Sequence, residues 1–155
     1  KIRSLNDLAI EIAAAKEIGK RVVLTNGCFD VIHAGHVSYL REASKLGDIL
    51  IVGVNTDAQV YAQKGSGRPI YALEERMEIL AELQCVDFVV PFSEPTASEL
   101  IRLVQPDLYA KGGDYSPEEI NEHALLVELG IEMCVLSERP GRSSTDVVRQ
   151  MKETQ

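Results

Sequence analysis

The chain has 155 residues, 45% of them hydrophobic, with 24 acidic against 16 basic side chains and a net charge of −8. That length suits a single domain built on one substantial core. The acidic balance argues against nonspecific binding to nucleic acid or to an anionic membrane, because both need a basic surface; a small anionic ligand needs only a local cluster of cations.

The chain opens on Lys1 rather than Met, which fits a processed chain or one domain of a longer protein. No secretory leader is read and no apolar run approaches the ~20 residues of a membrane span, so a cytoplasmic location is expected. Cys28, Cys85 and Cys134 are odd in number and match neither a zinc spacing nor a disulfide framework. Buried thiols are the expectation. A Cys28/His33 nucleophile is the weaker alternative, since nothing else around it resembles a thiol enzyme.

In chain order, residues 4–18 predict a helix: Leu5, Leu8, Ile12 and Ala15 recur at helical spacing, Asp7 stands three residues after Ser4, and Gly19 stops it. Residues 22–25 read as a strand, and residues 36–46 as a helix ended by Gly47. Residues 49–55 are almost wholly apolar, as in a parallel strand covered on both faces. Residues 63–71, QKGSGRPIY, have loop composition and are expected to be mobile. A helix over 73–83, a strand over 86–91 and a helix over 96–104 follow. Then come a strand over 108–111, a helix over 117–129 ended by Gly130, a strand over 132–136 and a helix over 145–151. Residues 83–91 are apolar enough for a dimer surface or for core. The alternation predicts an α/β fold, a Rossmann-like doubly wound parallel sheet of five strands with helices on both faces. One domain over 1–155 is expected, with 1–20 as an N-terminal helix or linker and 21–155 as the core. Ligands of such folds sit beyond the carboxyl ends of the strands, where strand order reverses.

Residues 25–36, TNGCFDVIHAGH, fall at that edge. They form neither a Walker A loop nor a dinucleotide G-x-G-x-x-G. Gly27 lets backbone approach a ligand. Gly35 clears a side chain from a helix start, where N–H groups and the dipole attract anions. His33 and His36, three apart, can face one side. Two imidazole donors beside a helix N-terminus suit a phosphate whose charge grows in a transition state. A chance pairing, one histidine a cap and the other packed, is the competing view. A metal site would need a third ligand, for which only Asp30 is near.

Residues 25–57 resemble the opening of the cytidylyltransferase-like nucleotidyltransferases, whose signature is H-x-G-H after the first strand. Residues 139–145, RPGRSST, resemble their second signature, a Ser/Thr-rich helix start. Asn55-Thr56-Asp57, Gly67-Arg68-Pro69, Glu75-Arg76 and Lys111-Gly112-Gly113-Asp114-Tyr115 are most similar to the D-glycero-β-D-manno-heptose 1-phosphate adenylyltransferases. The resemblance implies transfer of AMP from ATP to the sugar 1-phosphate, giving ADP-heptose for lipopolysaccharide and releasing pyrophosphate. Its alternatives are a relative using CTP or an acceptor such as glycerol 3-phosphate, and a nucleotide-binding module without turnover.

The same resemblance implies site residues. His33 and His36 would bind the triphosphate, and Lys64 and Arg68 would clamp phosphates. Thr25, Asn26, Gly27, Cys28, Phe29 and Gly35 would line the nucleotide site. Lys111 and Gly113 stand at the ligand edge, and Asp114 either holds a hydroxyl or caps a helix. Arg139, Ser143, Ser144 and Thr145 would meet the β- and γ-phosphates, with Arg142 standing where relatives have an apolar residue. Arg76 is open between the site and a pairing with Glu75. His123 reads as surface. Mg²⁺ is expected as the partner of ATP. A homodimer and a fused or separate heptose kinase are further implications.

Overall fold

The computed structural model describes residues 1–113, 116–137 and 143–154. Five parallel strands, β1 (Val22–Gly27), β2 (Ile49–Asn55), β3 (Phe88–Phe92), β4 (Leu108–Gly112) and β5 (Glu132–Leu136), lie in the order β3-β2-β1-β4-β5. The order reverses between β1 and β4, and this is the doubly wound arrangement expected. Strand alternation splits the core. Val22, Leu24, Ile51, Val90 and Tyr109 pack on one face with Leu8 and Ile12 of α1 (Leu5–Glu17) and Ile101 of α5 (Ser98–Val104). Val23, Leu50, Val52 and Val89 pack on the other with Leu40 and Ala43 of α2 (Ala34–Ser44) and Leu80 of α4 (Leu73–Glu82).

Local chemistry sets the helix starts. Ser4 Oγ accepts the Asp7 N–H at 3.2 Å and caps α1. The segment before α1 is tied to the sheet edge: Val89 donates its N–H to the Lys1 carbonyl and accepts one from Arg3. Val86, Val89 and Val90 of the apolar run over 83–91 are fully buried and serve the core.

Three expectations need correction. A helix, α3 (Asp57–Lys64), follows β2 where none is predicted. It buries only Val60, so no apolar stripe marks it in the sequence, although Thr56 stands at its N-cap and Asp57 in its first turn. The predicted helix over 117–129 is a 3₁₀ turn, Pro117–Glu119, then a break at Ile120, then α6 (His123–Leu129). Ile120 is extended and turns its side chain into the core. Of residues 63–71, expected to be a mobile loop, Gln63 and Lys64 end α3, and the rest is anchored by a buried carboxylate described below. The last helix is α7 (Ser144–Glu153). Among the described residues no helix is long and apolar enough to cross a membrane.

Candidate active site

β1 ends at Gly27, and the chain must turn sharply to enter α2. Phe29 and Val31 take positive φ values of 51° and 58°. Such values cost a non-glycine residue ~1–3 kcal/mol, most for a β-branched one. The compensation lies between them. Asp30 is fully buried; its Oδ2 accepts from Arg68 Nε at 2.7 Å and from the Ile70 N–H at 2.8 Å, and its Oδ1 accepts from the Tyr71 N–H at 3.0 Å. Burial pushes its carboxyl up, but the Tyr71 and Ile70 N–H groups and Arg68 outweigh that and hold it below the usual range. Both oxygens are occupied, so Asp30 is a structural anchor and does not fit a metal. No group of three or more His, Cys, Asp or Glu gathers in metal-holding geometry among the described residues.

His33 is the N-cap of α2: its Nδ1 accepts the Gly35 N–H at 3.0 Å. The His33 N–H in turn donates to His36 Nδ1 at 3.2 Å. The two rings sit 4.0 Å apart, and Phe29 lies 5.5 Å from the His36 ring. With Nδ1 accepting on each ring, Nε2 is the nitrogen that carries the proton and is left to donate. Burial first, then the charges of His33 and Lys64, push the His36 pKa down to about 4. His36 is a neutral donor at physiological pH, and Gly35 of α2 is buried.

His36 lines a hollow of about 270 Å³ with Gly27, Phe29, Lys64, Lys111 and Ser144. Lys64, the last residue of α3, donates to Ser144 Oγ at 3.1 Å, and Arg68 reaches the same oxygen at 3.4 Å. Ser144 opens α7, so its oxygen, two cations and a helix N-terminus converge there. That set suits a polyphosphate. Ser143 caps α7, accepting the Asp146 N–H at 3.0 Å.

A second hollow of about 550 Å³ adjoins the first and shares Asn26, Gly27, Cys28 and Lys111 with it. Asn55, at the end of β2, Gln59 and Gln63 of α3 and Glu122 line it too, beside Glu119 and Asn121. These four carry no expected role. Asn55 was the most legible, since it ends a strand at the ligand-binding edge; Glu122 carries no sequence signal, because the helix break at Ile120 is what brings it there.

Several expected site residues lie elsewhere. Thr25 is fully buried, and its hydroxyl is hydrogen-bonded to Tyr39, whose Oη donates to the Ala110 carbonyl at 3.1 Å. Strand alternation turns it toward α2 and away from the cleft. The Gly113 N–H donates to the Leu136 carbonyl at 3.0 Å, stitching β4 to β5. Thr145 is exposed and lines neither hollow. Arg76 pairs with Asp57, not Glu75, and is fully buried. His123 is half-buried, and its Nδ1 has no partner among the described residues. The Cys28 thiol faces Asn55 at 3.9 Å and Gln63 at 3.6 Å, and burial raises its pKa, against a thiolate nucleophile. Asp114, Arg139 and Arg142 lie outside the described residues.

Comparison with known proteins places the fold in a family. The chain is 51% identical over 152 residues to "Bifunctional protein HldE" of Aeromonas hydrophila, covering 98% of this chain and 32% of that protein. It is 46% identical over 153 residues to the protein of the same name from Pelobacter propionicus, covering 99% and 31%. It therefore spans about a third of the length of these relatives. A crystal structure of the lipopolysaccharide core biosynthesis protein from Thermoplasma volcanium superposes with a TM-score of 0.63 at 30% identity, over 78% of this chain and 98% of that one. Residues 24–150, from the middle of β1 to the middle of α7, match the cytidylyltransferase-like family, and the chain is a member of it.

Proposed function

We propose that the chain transfers AMP from ATP to D-glycero-β-D-manno-heptose 1-phosphate, forming ADP-heptose and pyrophosphate. The observation that carries the reading is the convergence of His36, Lys64, Lys111 and Ser144 on one hollow where strand order reverses. A phosphate oxygen of the acceptor is already ionised, so no general base is needed. It attacks the α-phosphorus in line; the P–O bond to the β-phosphate breaks, and pyrophosphate leaves with the electron pair. The two imidazole N–H donors and the two lysines stabilise the charge that builds on the α-phosphoryl oxygens. Ser144 and the α7 N-terminus hold the departing phosphates. Bound to the triphosphate, Mg²⁺ would neutralise part of its charge, with the phosphate oxygens as its main ligands.

The choice of acceptor is supported by half-identical relatives named as bifunctional and by a structural relative titled for lipopolysaccharide core biosynthesis. The chain acts as one catalytic unit in the cytoplasm, alongside a fused or separate sugar kinase, with a homodimer as the assembly to test by sedimentation. Pyrophosphate release, measured with ATP and CTP against several sugar phosphates and glycerol 3-phosphate, tests the reading. Turnover with ATP and the heptose 1-phosphate far above the other pairs is expected. Comparable turnover of glycerol 3-phosphate with CTP removes the heptose assignment.

A further inference from the structure

The larger hollow is chemically unlike the smaller one. Among its described lining residues Lys111 is the only cation, and it sits on the shared border. The rest of the polar wall is amide and carboxylate. Asn26 accepts the Tyr109 hydroxyl on Oδ1, which fixes its NH₂ as the donor side. Glu122 is 4% exposed, and its Oε1 takes the Ala97 N–H at 3.0 Å. No cation lies within ion-pair distance of it among the described residues. A buried, unpaired carboxylate is costly unless donors satisfy it. One oxygen is satisfied by Ala97, and a second remains for a donor from the hollow.

We infer that Glu122 is a specificity-determining residue for the acceptor: it accepts hydrogen bonds from ring hydroxyls, with Asn55, Gln59 and Gln63 completing the set. This rests on the nucleotidyl-transfer reading above and assigns the half of the cleft which that reading leaves without chemistry. The acceptor's phosphate faces Lys111 and the histidine hollow, and its neutral polyol end fills the larger space. An acceptor with a second anionic group would bring that group against Glu122 with no cation to meet it. Sugars lacking the hydroxyls would strand the carboxylate and the amides. The negative charge of Glu122 is felt nearby: burial, then Glu122, then Tyr39 raise the Tyr109 phenol well above its ordinary pKa.

The test is pyrophosphate release with D-glycero-β-D-manno-heptose 1-phosphate and ATP varied in turn, on wild type, Glu122→Gln and Gln59→Ala. Glu122→Gln keeps an oxygen for the Ala97 N–H, so the cap survives. Its acceptor KM should rise about tenfold to a hundredfold, while the ATP KM stays within about twofold and the melting temperature holds. Gln59→Ala, on the wall of the hollow, should raise the acceptor KM about fivefold. Unchanged acceptor KM in either variant, or ATP KM rising in step, overturns the assignment and leaves Glu122 as a cap for Ala97. A wild type that releases no pyrophosphate with any sugar 1-phosphate overturns the nucleotidyl-transfer reading and the acceptor assignment together.

Discussion

The His33 N–H donates to His36 Nδ1, and His33 Nδ1 accepts the Gly35 N–H, so the near nitrogen of each ring is spent on the backbone. One sequence feature therefore performs two tasks. Nδ1 builds the start of α2, and in the proposed reaction Nε2–H is the donor each ring offers to a phosphate. His33 is a cap, as the chance-pairing view allows, but capping uses Nδ1 and leaves Nε2 for the phosphate role proposed above.

His33→Ala and His36→Ala should each lower turnover about a hundredfold, since one lost transition-state donor costs about 3 kcal/mol. His33→Ala should also lose about 1 kcal/mol of stability with the cap. His33→Asn separates the roles, because asparagine caps well. It should unfold within about 0.5 kcal/mol of wild type and still show the kinetic loss. Pyrophosphate release and urea melts measure the two halves. Full turnover in His33→Asn would mean that the ring contributes only the cap.

His36 sets a pH dependence with a definite sign. Its value in the fold, about 4, lies below its ordinary 6.5, from burial, then His33, then Lys64. The fold favours the neutral ring, so stability is unaffected above about pH 6.5 and is lost as pH falls from there toward 4. The cost approaches roughly 3 kcal/mol at the low end. His36→Gln should flatten this limb of a plot of melting temperature against pH. In wild type, turnover should show no acid limb near pH 6.5 assignable to His36. Such a limb, abolished by His36→Gln binding controls at equal saturation, would place the ring's ionisation higher.

The sheet was legible because Ile51, Val52 and Val54 must be covered on both faces, and the helices alternating with the strands supply that cover in a parallel sheet. H-x-G-H at the first strand end was legible because its chemistry is local. What stayed hidden depends on contacts distant in sequence. Thr25 and Asn26 are neighbours, yet the alternation of β1 sends one to Tyr39 and the other to the cleft. The helix α3 has a polar inner face because Gln59 and Gln63 serve a hollow, which erases the apolar period that marks a helix. The loop over 65–72 reads as flexible from its glycines, but Asp30 binds it from 40 positions away.

That anchor makes a prediction about the loop. Asp30→Asn keeps one acceptor where Arg68, Ile70 and Tyr71 present three donors. A loss of about 2–4 kcal/mol is expected, as for a broken buried pair with orphaned N–H groups. In limited proteolysis, cleavage within 65–72 should be slow in wild type even without nucleotide and fast in Asp30→Asn. Protection by ATP–Mg²⁺ should be seen mainly in the variant. Fast cleavage of nucleotide-free wild type would mean that Asp30 does not hold the loop in solution.

Arg76 carries the heaviest structural load near the cleft. Its guanidinium donates to the carbonyls of Cys28 at 2.6 Å, Asn55 at 2.8 Å and Tyr71 at 3.0 Å, and to Asp57 Oδ1 at 2.6 Å. It is fully buried, whereas the Asp57 side chain is 48% exposed. These partners lie just past β1, at the end of β2, at the start of α3 and before α4, so one side chain closes the rim on which both hollows rest. Lysine cannot copy the planar fork, and methionine leaves three carbonyls without donors. Arg76→Lys and Arg76→Met should each cost about 3–5 kcal/mol, read as a lower urea midpoint at unchanged slope. Turnover should fall in the surviving folded fraction too, because Cys28 and Asn55 line the cleft. Arg76→Met within about 1 kcal/mol of wild type would mean that water or a backbone shift replaces the guanidinium, and that the rim does not depend on it.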